Sequence, residues 1–246
     1  MFELQAHDLS GRELRRVFLR GVDMRGGAIS DSRLRGVDLW NIDIHGDLMN
    51  VRVNGVDIAP LIAAELDRRD PDRASMRPVH ADGFREAWTI LETRWAATVE
   101  RARTFPERRL HEPVGDEWSF VQTLRHLCFA TDAWVARMVR GDPSPWHQLD
   151  LPWDEAPGWD GIPWDREARP ALDEVLAVRA ERQALVRSVL ADLTDEQLAS
   201  TVTRTEPGWP QAEDLPVERC LRIVLNEEWQ HRQYAERDLA ALAGTP

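Results

Sequence analysis

Residues 216–242, PVERCLRIVLNEEWQHRQYAERDLAAL, read as one long helix. Cys220, Ile223, Val224, Glu227, His231 and Tyr234 recur at three- and four-residue steps, so they share a face. That face is largely apolar, which marks it as buried. A glutamate and a histidine inside it need a reason, because an unpaired buried carboxylate is costly. Metal coordination satisfies both, since ionised carboxylate and neutral imidazole ligate zinc, iron, nickel or manganese. The plainer reading is a mild i, i+4 ion pair on a solvated helix. Spacing alone leaves both open.

Working back along the chain, a third helix is expected over about Pro170 to Leu190, with Leu172, Val175, Leu176, Val178, Leu185, Val186 and Val189 on its buried side. A second runs from the N-cap residue Ser119 to about Arg140, where Gly141, Pro143 and Pro145 stop it. A first covers about Asp82 to Arg103, with Phe84, Trp88, Leu91, Trp95 and Val99 in its stripe. Residues 141–167 hold Trp146, Trp153, Trp159 and Trp164 without periodicity and read as a long crossover loop. Residues 203–215 read as a second irregular loop. Four long helices with one crossover point to a mainly α chain built as an up-down four-helix bundle. A third metal ligand must come from another helix. His126, beside Leu127 and Phe129 on the second helix, is the best placed, because His7, His45, His80, His111 and His147 fall in the N-terminal region, the linker or loops.

Residues 1–60 follow a different rule. Leu19, Met24, Ile29, Leu34, Leu39 and Ile44 recur every five residues, and the register then slips by one to Leu48, Val53 and Ile58. Aspartates precede several of them: Asp23, Asp38, Asp43, Asp47 and Asp57. A period of five fits neither helix nor strand. It is similar to a pentapeptide-repeat β-solenoid of about two coils, with an ordinary small antiparallel sheet as the alternative. Residues 61–81 read as a linker containing a short helix, and residues 82–246 as the bundle.

The 246 residues carry a formal net charge of -12. Such a surface repels phosphate backbones and argues against nucleic acid. No run of about 18 apolar residues suits a membrane span. Met1 to Ser10 lacks the basic start and apolar core of an export signal, which points to the cytoplasm. Two cysteines, Cys128 and Cys220, are too few for a disulfide framework and read as buried core. All 31 basic residues are arginine, a bias expected of a GC-rich genome. No nucleophile triad, phosphate loop or dinucleotide fingerprint is present.

The segment Glu117-Trp118-Ser119-Phe120-Val121-Gln122-Thr123-Leu124-Arg125-His126-Leu127 resembles the Trp-Ser-x-x-x-x-Leu-x-His-Leu signature of the DinB-like superfamily. Leu172 to Arg179 is similar to its companion stretch. Glu227-Glu228-Trp229-Gln230-His231-Arg232 resembles its last-helix ligand pair. The likeness covers about residues 82–243. It implies a metal held by His126, Glu227 and His231. Many members carry His where Glu227 stands, and the maleylpyruvate isomerase branch carries Glu. Glu228 neighbours the ligand place, and the i, i+4 spacing favours Glu227.

The resemblance also implies a use. Several DinB-like enzymes bind a low-molecular-weight thiol, bacillithiol or mycothiol, at the metal for attack on an electrophile. An actinobacterial host would favour mycothiol. The expectation is therefore a divalent-metal-dependent S-transferase or isomerase, with zinc ahead of nickel, iron or manganese, small-molecule partners and a homodimeric state. Arg222, Arg232 and Tyr234 are the candidate cofactor-binding residues, with Arg125 and Arg237 as further arginines. The alternative is a non-catalytic, stress-associated metal-binding protein whose N-terminal coil is an interaction surface.

Overall fold

The computed structural model describes residues 10–244, apart from residues 14, 16, 23, 25–27, 47 and 116. The export-signal reading of Met1 to Ser10 and the aspartates Asp23 and Asp47 thus fall on residues outside those described, Ser10 excepted. The chain divides into two units, Met1–Leu48 and Met49–Pro246.

In the first unit the described residues form neither helix nor strand. The backbone nevertheless obeys the period of the sequence. Gly11, Gly21, Asp31, Gly36, Asn41 and Gly46 all take positive φ, at multiples of five residues. That conformation favours glycine and tolerates Asn and Asp. The chain therefore turns at a regular interval. Its apolar positions are not buried: Leu19, Met24, Ile29, Leu34, Leu39 and Ile44 are all 59% or more exposed.

The second unit opens with a hairpin, β1 (Arg52–Val53) and β2 (Val56–Asp57). Asn54 and Gly55 both have positive φ, as a two-residue hairpin turn demands. Helix α1 (Ala59–Arg69) and the short α2 (Asp72–Ser75) follow. The charged stretch from Arg68 to His80, read as a linker, is structured, because Arg94 ion-pairs with Asp70 and Asp72 and Met76 is buried.

Four long helices then carry the core. They are α3 (Ala81–Ala102), α4 (Phe120–Thr131), α5 (Leu172–Asp192) and α7 (Val217–Ala243), with the one-turn α6 (Asp195–Leu198) between the last two. Helix α4 starts on a capping box, in which Ser119 and Gln122 satisfy each other's backbone N–H groups. It continues into a π-helical segment, Asp132–Val139. Of two apolar clusters, the first draws on α3, the π-helical segment, α5 and α7, and the second on all four long helices. One holds Phe84, Trp88, Leu91, Val135, Val186, Leu221, Val224 and Trp229. The other holds Trp95, Leu124, Leu127, Val175, Val178, Ala235 and Leu239. Full burial of such a side chain contributes roughly 1.5–3 kcal/mol.

Residues 203–215, read as a loop, are a loop over 205–211, but their two ends belong to a hairpin of β3 (Thr201–Arg204) and β4 (Ala212–Pro216). The β-branched run Thr201-Val202-Thr203 suits a strand, and a bulge between Val202 and Arg204 disturbs the ladder. No helix among the described residues is long and apolar enough to cross a membrane.

Candidate metal centre

In the middle of α7, around the Trp229 of the first cluster and before the Ala235 of the second, lie Glu227, Glu228 and His231. At four residues apart, Glu227 and His231 project from one face. His126 of α4 meets them: its Nε2 lies 3.4 Å from Glu227 Oε2, and His231 Nδ1 lies 3.2 Å from the same oxygen. One ligand atom from each of the three residues lies within 4.8 Å of the others. The imidazole centroids are 4.8 Å apart.

Backbone carbonyls orient both rings. His126 Nδ1 donates to the Leu151 carbonyl at 2.9 Å. His231 Nδ1 donates to the Glu227 carbonyl at 3.0 Å. In His126 the bond leaves Nε2, the atom that faces Glu227, with its lone pair, whereas in His231 the nitrogen that faces Glu227 is Nδ1 itself. Burial lowers the His231 pKa, and His126 lowers it further, which favours neutral imidazole. Burial pushes the Glu227 carboxyl up, but the two histidines beside it outweigh that and hold it below the usual value. Two imidazoles and one carboxylate are a donor set that fits zinc, nickel or non-haem iron.

The sequence model of the DinB superfamily matches residues 90–235. The chain belongs to the DinB superfamily. No curated protein and no solved structure matches it.

Within this DinB chain the structure separates the two neighbouring glutamates. Glu228 turns into the core and forms a bidentate ion pair with Arg179, both almost fully buried. Trp95 lies under that guanidinium and donates its indole N–H to the Glu228 carbonyl. Glu227 is left to face the histidines.

Of the cofactor-binding candidates, Tyr234 alone adjoins the triad, edge-on to His231 at 5.8 Å. Arg222 is nine residues before His231, a rotation of about 180° around the helix. It is held by Glu218 and the Pro78 carbonyl. Arg232 is rotated by about 100° and sits beside Glu236. The structure brings neither arginine to the triad. Arg237 pairs with Glu117 and Asp238.

Arg125 is fully buried, contrary to the surface role its type suggests. It donates to the carbonyls of Leu149, Asp165, Arg166 and Ala168, tying the long loop to α4. Trp118, quoted above only as part of a motif, covers the site. Its ring lies 4.6 Å from that of His126 and 6.2 Å from that of His231, and its N–H donates to Asp154. Phe129 links His126 to the loop, with ring contacts to Trp146, Trp153 and Trp164. These tryptophans pack the loop onto the helices.

Burial raises both cysteine pKa values, Cys220 to about 11 and Cys128 further, so both stay protonated thiols. Two cavities, of about 230 and 290 Å³, are lined by Asp132, Asp142 and Arg182 and by Trp95, Leu176 and Arg179 respectively. The triad lines neither.

Proposed function

We propose that this DinB chain is a divalent-metal-dependent thiol S-transferase or isomerase. The metal is held by His126, Glu227 and His231, and the co-substrate is a low-molecular-weight thiol of the mycothiol type. One observation carries the reading. Two histidines and one carboxylate from two helices converge with no fourth His, Cys, Asp or Glu in the group among the described residues. Three protein ligands leave coordination positions open to an exogenous ligand, whereas structural zinc is closed by four.

When bound, a divalent metal at this place supplies the positive charge that holds a coordinated thiol as the nucleophilic thiolate. The chain's own residues do the rest. The Leu151 and Glu227 carbonyls fix the imidazole tautomers, and Trp118 lies against both rings and limits water. Zinc is favoured, with nickel, iron or manganese chemically acceptable. The reading includes the four long helices as an up-down bundle of DinB type, the five-residue turns as a pentapeptide-like coil, and thiol and electrophile as the partners.

The test is mycothiol-dependent conjugation of monochlorobimane by zinc-loaded protein, in which a C–S bond replaces C–Cl and chloride leaves. Turnover that is lost in Glu227→Gln supports the reading. Metal binding without thiol-dependent turnover overturns it in favour of a second reading, a non-catalytic metal-binding protein with an interaction surface at the coil. The exposed apolar residues of the first unit favour that second reading.

A further inference from the structure

The first unit turns regularly, yet every described residue from Ser10 to Gly46 is exposed. Twelve large apolar side chains between Val17 and Ile44 are 49–80% exposed, with Phe18 at 79% and Trp40 at 80%. At that exposure they present on the order of 1,500 Å² of apolar surface, against roughly 300–600 Å² for the largest patch on a typical monomer. Half of such a surface, set against a partner, approaches the ~800 Å² per side of a stable interface.

Two features select a second copy of this chain as that partner. The first is the period. Gly11, Gly21, Asp31, Gly36, Asn41 and Gly46 turn the backbone at multiples of five residues, and the leucines and isoleucines keep the same step. A partner that meets them one for one turns at the same interval, as a copy does. The second is the charge. Residues 12–20 hold four arginines and one acid, Glu13, whereas residues 38–47 hold three aspartates and no arginine. The two ends of the segment thus carry +3 and -3. Like ends repel and opposite ends attract. A copy laid antiparallel brings each basic end onto an acidic one, and a two-fold axis makes that contact twice. Arg12, Arg20 and Asp38 enter no ion pair among the described residues, so their charges are available to a partner.

We propose that two copies of this chain dimerise through their first units, laid antiparallel. The apolar residues between Val17 and Ile44 form the interface, and residues 12–20 of each copy face residues 38–47 of the other. The proposal rests on the turns, exposure and charge of the first unit and is independent of the metal reading. It also fixes the sign of the salt effect. Added salt screens the attraction between opposite ends and weakens an antiparallel dimer, whereas it would strengthen a parallel one, in which like ends meet.

The test is analytical ultracentrifugation of the full chain over a range of concentrations. A dimer is expected, with a dissociation constant that rises about fivefold or more between about 0.05 and 0.5 M salt. Trp40→Asp should raise that constant about thirtyfold or more, with the circular dichroism of the helices unchanged. A charge swap tests the orientation. The double variant Arg12→Asp with Arg20→Asp, and the double variant Asp38→Arg with Asp43→Arg, should each weaken self-association about tenfold. Their equimolar mixture should recover the dimer, because opposite charges then face each other at both contacts. A monomer at every concentration overturns the proposal. So does a dimer indifferent to Trp40→Asp, which puts the contact elsewhere on the chain. A dimer tightened by salt, or a mixture that stays dissociated, overturns the antiparallel pairing.

Discussion

The Nδ1–H of His126 donates to the carbonyl oxygen of Leu151, 25 residues further along the chain. A helix residue and a loop residue are thereby joined, and the loop sets which way the imidazole points. The bond leaves Nε2 of the ring, the atom that faces Glu227, free. It also explains why the long loop is ordered against α4: Arg125, next to His126, holds four of its carbonyls.

Arg125→Ala removes that clamp and strands four part-buried carbonyls. It should destabilise the protein by about 3–4 kcal/mol, read as a lower urea midpoint at unchanged slope. Arg125→Lys should recover little, because an ammonium lacks the planar fork that reaches several acceptors. Wild-type stability in Arg125→Lys would contradict the clamp.

The Arg179–Glu228 pair should behave as a buried ion pair does. Arg179→Met or Glu228→Leu alone leaves one charge without its partner in the core, at about 3–5 kcal/mol. The double variant should cost less than the larger single one. Additive losses in chemical denaturation would show that the two side chains act separately.

Both thiols should be silent in the native state. With burial holding Cys128 and Cys220 protonated, an aromatic disulfide reagent at pH 8 should titrate none in folded protein and two per chain in denaturant. One fast native thiol would contradict the burial.

The convergence of His126, Glu227 and His231 was legible because it obeys local rules. Glu227 and His231 share a helix face by spacing, and His126 sits in the run that resembles the DinB signature. Ser119 announced the start of α4. The same rules, applied with the 100° rotation per residue in mind, place Arg222 on the far side of α7. Arg125 was not legible as a buried clamp, because its partners are backbone carbonyls 24 to 43 residues away and carbonyls leave no mark in a sequence. In the first unit the five-residue period was readable, and Gly21, Gly36 and Gly46 carried it as well as the leucines did. The exposure of those leucines was not readable, since periodicity reports spacing and not burial.

The central claim is a metal centre formed by His126, Glu227 and His231. The most direct measurement is elemental analysis of the untagged full chain beside His231→Ala. The account predicts about one first-row metal ion per wild-type chain and a loss of that metal in the variant. Wild-type protein that stays metal-free after incubation with zinc, nickel, manganese and iron would contradict it.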